Sequence, residues 1–183
     1  MTQEGDKLGL DFPDGVKKAD VLVKNSAIET SVAKDSDVDG GDIGIITDSL
    51  EVENSEKEKD RGIFTKADRN SKKSGDISIS ADNSVLIKST AREERQGIFS
   101  ITEKEGGEGG KITIDADSLT VETARREQGI FTITKVNGQK GGDIIITADD
   151  SISIIASRDG RQHGIFTLTD PEGGTGGSIQ ITA

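Results

Sequence analysis

The chain has 183 residues, with no Cys, Trp or Tyr, five Phe, 31% hydrophobic residues and a formal charge of −11 from 23 basic and 34 acidic side chains. That balance speaks against nucleic acid and anionic lipid as partners, because neutralising phosphate takes clustered Lys and Arg. The lack of cysteine removes disulfide frameworks, thiolate metal sites and thiol nucleophiles, and a core of large aromatic side chains is excluded, which leaves stacked Ile, Val, Leu and Thr.

Low hydrophobicity with high charge ordinarily means disorder, but internal repetition overrides that reading. Residues 1–18 contain no apolar h-region, and no stretch reaches transmembrane length, so no membrane insertion is expected and any export signal is expected outside this chain. Residues 1–18 are taken as an amino-terminal segment that could act as a cap, and residues 19–183 as one repeat domain, a fragment of a longer array.

Along that domain three elements recur. The first is a Gly-(Asp/Lys/Ser)-Ile strand beginning at Gly41, Gly75, Gly110, Gly142 and Gly177, with alternating pairs such as Ile77/Ile79 and Ile112/Ile114. The second is shorter: Val21/Val23, Leu50/Val52, Val85/Ile87, Leu119/Val121 and Ile152/Ile154. The third is Gly-Ile-Phe-Thr/Ser, beginning at Gly62, Gly97, Gly129 and Gly164, with a degenerate copy at Ala27 to Val32. From each Gly-Ile-Phe glycine to the next first-strand glycine the distance is 13 residues (62 to 75, 97 to 110, 129 to 142, 164 to 177). All variation in unit length falls in the loop before the Gly-Ile-Phe motif, as in a fixed scaffold with one free loop.

Alternation at period 2 with β-branched residues is a strand signal, and no window sustains a 3.6 period. Asp48, Asp82, Asp117 and Asp149 mark expected turns between strands one and two. Gly-rich corners at Gly40-Gly41, Gly106 to Gly110, Gly141-Gly142 and Gly173 to Gly177 are expected to supply positive φ. One unit cannot bury its own apolar face, whereas units stacked in register about 4.8 Å apart form continuous ladders. The expected fold is all-β: a right-handed parallel β-helix, or β-solenoid, of about five coils of about 34 residues with three short strands per coil, the hand following from the crossover rule.

The phrase Gly109-Gly-Lys-Ile-Thr-Ile-Asp-Ala-Asp-Ser-Leu-Thr-Val121, with its Gln-Gly turn and Gly-rich return to Gly142, resembles the repeats of cyanobacterial filamentous-haemagglutinin-like exoproteins. The resemblance covers roughly residues 19–183. It implies a right-handed parallel β-helix, two-partner secretion, a secreted or cell-surface location and a role in adhesion or aggregation, with no catalytic residues to carry over. The chain departs from the pattern in lacking the amino-terminal secretion domain. Its loops Glu53 to Arg61, Lys88 to Gln96, Glu122 to Gln128 and Ile155 to His163 are also longer and more charged.

No catalytic, cofactor or metal site is expected. His163, the only histidine, has no second His or Cys for zinc or acid–base chemistry and is read as a solvated loop residue beside Arg161. The aspartate column is read as Asx turns, against a cation column. Loops such as Ala91-Arg-Glu-Glu-Arg-Gln96 and Ala124-Arg-Arg-Glu-Gln128 are solvated turns where specificity for a surface receptor or glycan would sit. In the third strand, alternation sends Ile130, Thr132 and Thr134 to one face and Phe131 and Ile133 to the other. Phe64, Phe99, Ile101, Phe131, Ile133, Phe166 and Leu168 then form an outward stripe for contact or self-association, unless charged loops or the amino-terminal Leu8, Leu10 and Phe12 fold over it.

The expected function is a non-enzymatic adhesin-type scaffold. An ice-binding solenoid presenting Thr132-Ile-Thr134 and Thr167-Leu-Thr169 is the alternative, broken at Thr65-Lys-Ala67; a structural or engineered solenoid without a ligand is a third.

Overall fold

The computed structural model describes residues 16–90, 95–156 and 162–183 in full, and the backbone of two short strands before them, β1 (Thr2–Glu4) and β2 (Lys7–Gly9), paired antiparallel. The rest is β3 (Val21–Lys24), β4 (Ala27–Val32), β5 (Ile43–Asn54), β6 (Arg61–Ala67), β7 (Ile77–Ser89), β8 (Gln96–Thr102), β9 (Ile112–Thr123), β10 (Gln128–Thr134), β11 (Ile144–Ala156), β12 (His163–Thr169) and β13 (Ile179–Thr182). Among the described residues there is no helix.

These strands form two parallel sheets in repeat order, β13-β11-β9-β7-β5-β3 and β12-β10-β8-β6-β4. Every strand pairs with its equivalent one unit away, as in Ile77↔Ile112 and Ile98↔Ile130. The molecule is an all-β solenoid of about four turns, slightly fewer than the five coils expected, because the first and last units are incomplete.

Strand content per coil differs from the sequence expectation. The first and second predicted strands are one continuous strand, of 12 residues in β5 and β9 and 13 in β7 and β11, so unit length varies by one residue at the bend and not only in the loop to which the sequence assigned it all. The Asp48 position is a β-bulge rather than a turn, with register shifts between Thr47 and Ser49, between Ser80 and Ser84, and between Ala148 and Ser151. A bulge bends a strand while leaving its ladder on both sides intact. A third column of single bridges, Asp39↔Lys73↔Glu108↔Lys140↔Thr175, stacks the return segments.

The main core is the expected one. Ile43, Ile77, Ile112 and Ile144 form one ladder, Leu50, Val85 and Leu119 a second, and Val23, Val52, Ile87 and Val121 a third. Ile63, Ile98 and Ile130 close it from the other sheet.

The corner glycines act differently from expectation. Positive φ among glycines falls at Gly62, Gly97, Gly129 and Gly164, whereas the left-handed corner positions are held by Asp35, Asn70, Glu105 and Asn137. Gly75, Gly110, Gly142 and Gly177 are required by proximity: a Cβ on Gly110 would stand 2.0 Å from the Gly75 carbonyl oxygen, and on Gly177 2.0 Å from that of Gly142.

Candidate functional site

The third-strand sheet carries every residue of the predicted contact stripe. Register places Phe64, Phe99, Phe131 and Phe166 in one column. Their rings stack face to face with centroids 4.7, 4.8 and 5.0 Å apart and planes within 4°. Lys66, Ile101, Ile133 and Leu168 form the neighbouring column. Alternation holds as predicted: the isoleucines before each Phe enter the main core, and the Phe side forms a second apolar cluster.

The stripe is nevertheless not an open surface, which corrects the sequence expectation. Phe99 and Phe131 are 1% and 0% exposed, Phe64, Ile101 and Ile133 are buried, and Phe166 and Leu168 are half-buried. Alternation decides which side of a sheet a residue takes; it does not decide whether chain lies over that side. Charged groups flanking the strand gather there. Lys66, on the Phe side of β6, approaches Glu103 to 4.0 Å, and Arg95, which precedes β8, reaches the same carboxylate at 3.6 Å and Asp60 at 2.8 Å. Leu10 and Phe12, and the side chain of Leu8, lie outside the described residues.

The threonine rows also depart from the ice-binding expectation. Thr132 is 1% exposed and Thr134 fully buried, because this face looks into the coil. Their hydroxyls hold the returning corners: Thr65 Oγ1 donates to the Gly75 carbonyl at 2.7 Å, Thr132 Oγ1 to that of Gly142 at 2.8 Å, and Thr167 Oγ1 to that of Gly177 at 3.3 Å. In the serine-bearing coil the bond reverses, with Gly110 N–H donating to Ser100 Oγ at 3.1 Å. The Thr132 and Thr134 hydroxyls are thus turned to internal bonds, while Thr167 and Thr169 at the last coil are half-buried.

The variable loops are anchored by a column that the sequence reading passed over. Arg61, Gln96, Gln128 and His163 share one register position, and both glutamines are fully buried. Gln96 Nε2 donates to the carbonyls of Glu56 and Glu58 at 3.2 and 3.0 Å. Gln128 Oε1 accepts from the N–H groups of Ala124 and Arg125 at 3.1 and 2.9 Å, and its Nε2 donates to Gln96 Oε1 at 3.3 Å. The residue before each of these, Asp60, Arg95, Glu127 and Gln162, takes positive φ and reverses the chain into the strand. His163 belongs to this column: it begins β12, is half-buried, and its Nδ1 lies 3.1 Å from Thr123 Oγ1, so it is not simply solvated. Its neighbour Arg161, and residues 91–94 of the second charged loop, lie outside the described residues.

At the bends, Asp82 pairs with Lys18 at 2.5 Å. Among the described residues no group of three or more His, Cys, Asp or Glu is arranged to hold a metal. Acidic side chains serve the stacking instead. Asp143 Oδ1 accepts the Ser178 N–H at 2.7 Å and its hydroxyl at 2.8 Å, which holds this carboxyl below its ordinary pKa. On the outer surface Lys24, Glu53, Lys88 and Glu122 form a column of alternating sign, with Lys24–Glu53 at 2.7 Å and Lys88–Glu122 at 3.8 Å. The hydrogen bond from Lys24 draws the Glu53 pKa down.

Comparison of the chain with protein-family models, with curated proteins and with solved structures finds no match.

Proposed function

We propose that this solenoid is a non-enzymatic scaffold of adhesin type, from a secreted or surface protein, that holds variable loops along a rigid rod to meet a surface receptor or glycan. The observation that carries the reading is the division of labour within each coil. Side chains capable of chemistry, such as the Thr and Gln columns, are committed to hydrogen bonds between and within coils, while the loops that the Gln column anchors differ in length and sequence from coil to coil. Binding specificity belongs on such loops held by a rigid frame. With the Phe stripe covered, the contact residues move to the loop tips, where Arg126 is exposed and Arg125 half-buried.

The test is solid-phase binding of the immobilised chain to glycans and to cell surfaces, beside Arg125→Ser/Arg126→Ser with a matched circular dichroism spectrum. Saturable binding weakened at least tenfold by that pair supports the proposal. Binding that the pair leaves unchanged, or no saturable binding to any surface, overturns it.

A further inference from the structure

The corner after β10 places Asn137 directly before Gly138, and the packing of the coil accounts for both residue types. Asn137 takes a φ of 61°, as Asp35, Asn70 and Glu105 take 60, 57 and 60° at the matching corners. Asparagine is among the few side chains that enter this region readily. Gly138 is required by space: a Cβ there would stand 2.2 Å from Thr134 Cγ2, and the same clash recurs between Gly106 and Thr102 at 2.4 Å and between Gly173 and Thr169 at 2.5 Å. Where the third strand ends in Ala67 the threonine methyl is gone, and a buried serine, Ser71, fills the place with its hydroxyl donating to the Asp68 carbonyl.

In an Asn-Gly pair the backbone nitrogen of the second residue reaches the carboxamide of the first with no Cβ in the way, and asparagine is among the thermolabile residues. The chain has five asparagines, and the other four, Asn25, Asn54, Asn70 and Asn83, all precede serine. Three of those four are also held. Asn54 is 1% exposed, Asn70 Nδ2 donates to Asp35 Oδ1 at 2.7 Å, and Asn25 Oδ1 accepts the Ser55 N–H at 2.8 Å. Asn137 is exposed, and its carboxamide bonds to no other described residue. We propose that Asn137 is a site of spontaneous covalent modification, deamidation through a succinimide closed by the Gly138 nitrogen. That nitrogen gives up its proton to base and bonds to Asn137 Cγ, and the carboxamide nitrogen takes a proton and leaves as ammonia. Water then opens the ring, at Cγ to give aspartate or at the main-chain carbonyl to give isoaspartate, in which the chain runs through Cβ. The sum is one water taken up and one ammonia released, with no change of oxidation state.

The fold sets the pace and the consequence. The Gly138 N–H donates to the Lys135 carbonyl at 3.0 Å, so this turn opens before the nitrogen attacks, a local opening rather than a global one. Either product adds a carboxylate between two glutamate-bearing corners, since the Glu105 N–H donates to the Val136 carbonyl at 2.9 Å and the Asn137 N–H to the Glu172 carbonyl at 3.1 Å. Isoaspartate also lengthens the backbone where the Gly138 carbonyl accepts the Gly174 N–H at 2.7 Å and the Gln139 N–H donates to the Gly107 carbonyl at 3.0 Å. The modification therefore loosens three coils at one corner.

It is independent of any adhesive role, and its test reads covalent mass. The whole folded chain is aged at mildly alkaline pH and digested with trypsin, which isolates Asn137 in residues 136–140. Mass spectrometry and isoaspartate methyltransferase labelling then follow each asparagine. The peptide 136–140 should gain one mass unit and the methyl label at least tenfold sooner than any peptide carrying Asn25, Asn54, Asn70 or Asn83. Thr134→Ala/Gly138→Ser, which repeats the native Ala67 and Ser71, should keep its circular dichroism spectrum and slow the change at Asn137 at least tenfold. If that variant does not fold, the comparison among the five asparagines of the unmodified chain decides alone. No gain at Asn137, an equal gain at Asn70 or Asn83, or an undiminished gain in the folded double variant would overturn the proposal.

Discussion

Truncating Phe131 to Ala separates a covered aromatic column from an open one. Phe131 is fully buried and stacks on Phe99 at 4.8 Å and on Phe166 at 5.0 Å. Removing a wholly buried Phe side chain loses its transfer free energy and leaves a cavity, together about 3–5 kcal/mol. Phe166→Ala, from a half-buried position at the end of the column, should cost about 1–2 kcal/mol on burial alone. Stacking beyond area adds a coupling that a double-mutant cycle isolates. Phe99→Ala/Phe131→Ala should be less destabilised than the sum of the single variants by about 0.5–1.5 kcal/mol, because their shared contact is lost once. Urea unfolding followed by circular dichroism supplies the midpoints, with the slope checked for fraying from the rod ends, to which repeat arrays are prone. If Phe131→Ala costs less than about 1 kcal/mol, the column is open to water and the covered-cluster reasoning fails.

Three other perturbations address the stacking devices. Gly97→Ala places a side chain at φ 126° with its Cβ 2.1 Å from the Gly129 carbonyl oxygen, and should lower stability by at least about 2 kcal/mol in urea unfolding. Gln128→Ala takes the acceptor from the Arg125 N–H and leaves the Ala124 N–H only the Ser89 carbonyl, and should cost about 1–3 kcal/mol while speeding proteolysis in residues 124–127. The Asp143 carboxyl, with its pKa lowered by the Ser178 donors, stabilises the folded state above its unfolded pKa and loses that contribution as pH falls through the lower folded value. Hydrogen exchange of the Ser178 amide should therefore accelerate at pH below about 4, while an Asp143→Asn variant shows a smaller change across that range.

The period of the chain carried most of the architecture. Constant spacing from each Gly-Ile-Phe motif to the next first strand fixes which residues stack, and the structure pairs those same residues, Gly97 with Gly129 and Ile112 with Ile144. Side was legible as well, because alternation is local: Ile130 and Phe131 do lie on opposite faces. Cover was not legible, because alternation within a strand says nothing of chain lying over its outer side, and Phe131 is fully buried there. The corner glycines were noticed for the wrong property, since proximity between coils, invisible within one repeat, is what excludes a Cβ at Gly110. The Asp48 bend had the composition of a turn, yet the strand continues past it, because pairing with the neighbouring coil resumes at Ser49 after a one-residue register shift. Gln96 and Gln128 share a register position that the repeat alignment already contained; their polarity assigned them to the loop, and only their bonds to Glu58 and Ala124 show them as its anchors.

The central claim, parallel in-register stacking of one coil on the next, is tested most directly by cysteine cross-linking, since the chain has no cysteine of its own. Ser78 faces outward and pairs with Thr113 in the next coil, which pairs with Ile145 in the one after. Adjacent strands stand about 4.8 Å apart, within disulfide reach, and the two-coil step of about 10 Å is beyond it. Ser78→Cys/Thr113→Cys should oxidise rapidly to an intramolecular disulfide in the folded chain, and Ser78→Cys/Ile145→Cys should not. Equal rates for the two pairs, or cross-linking of the second alone, would contradict the stacked solenoid.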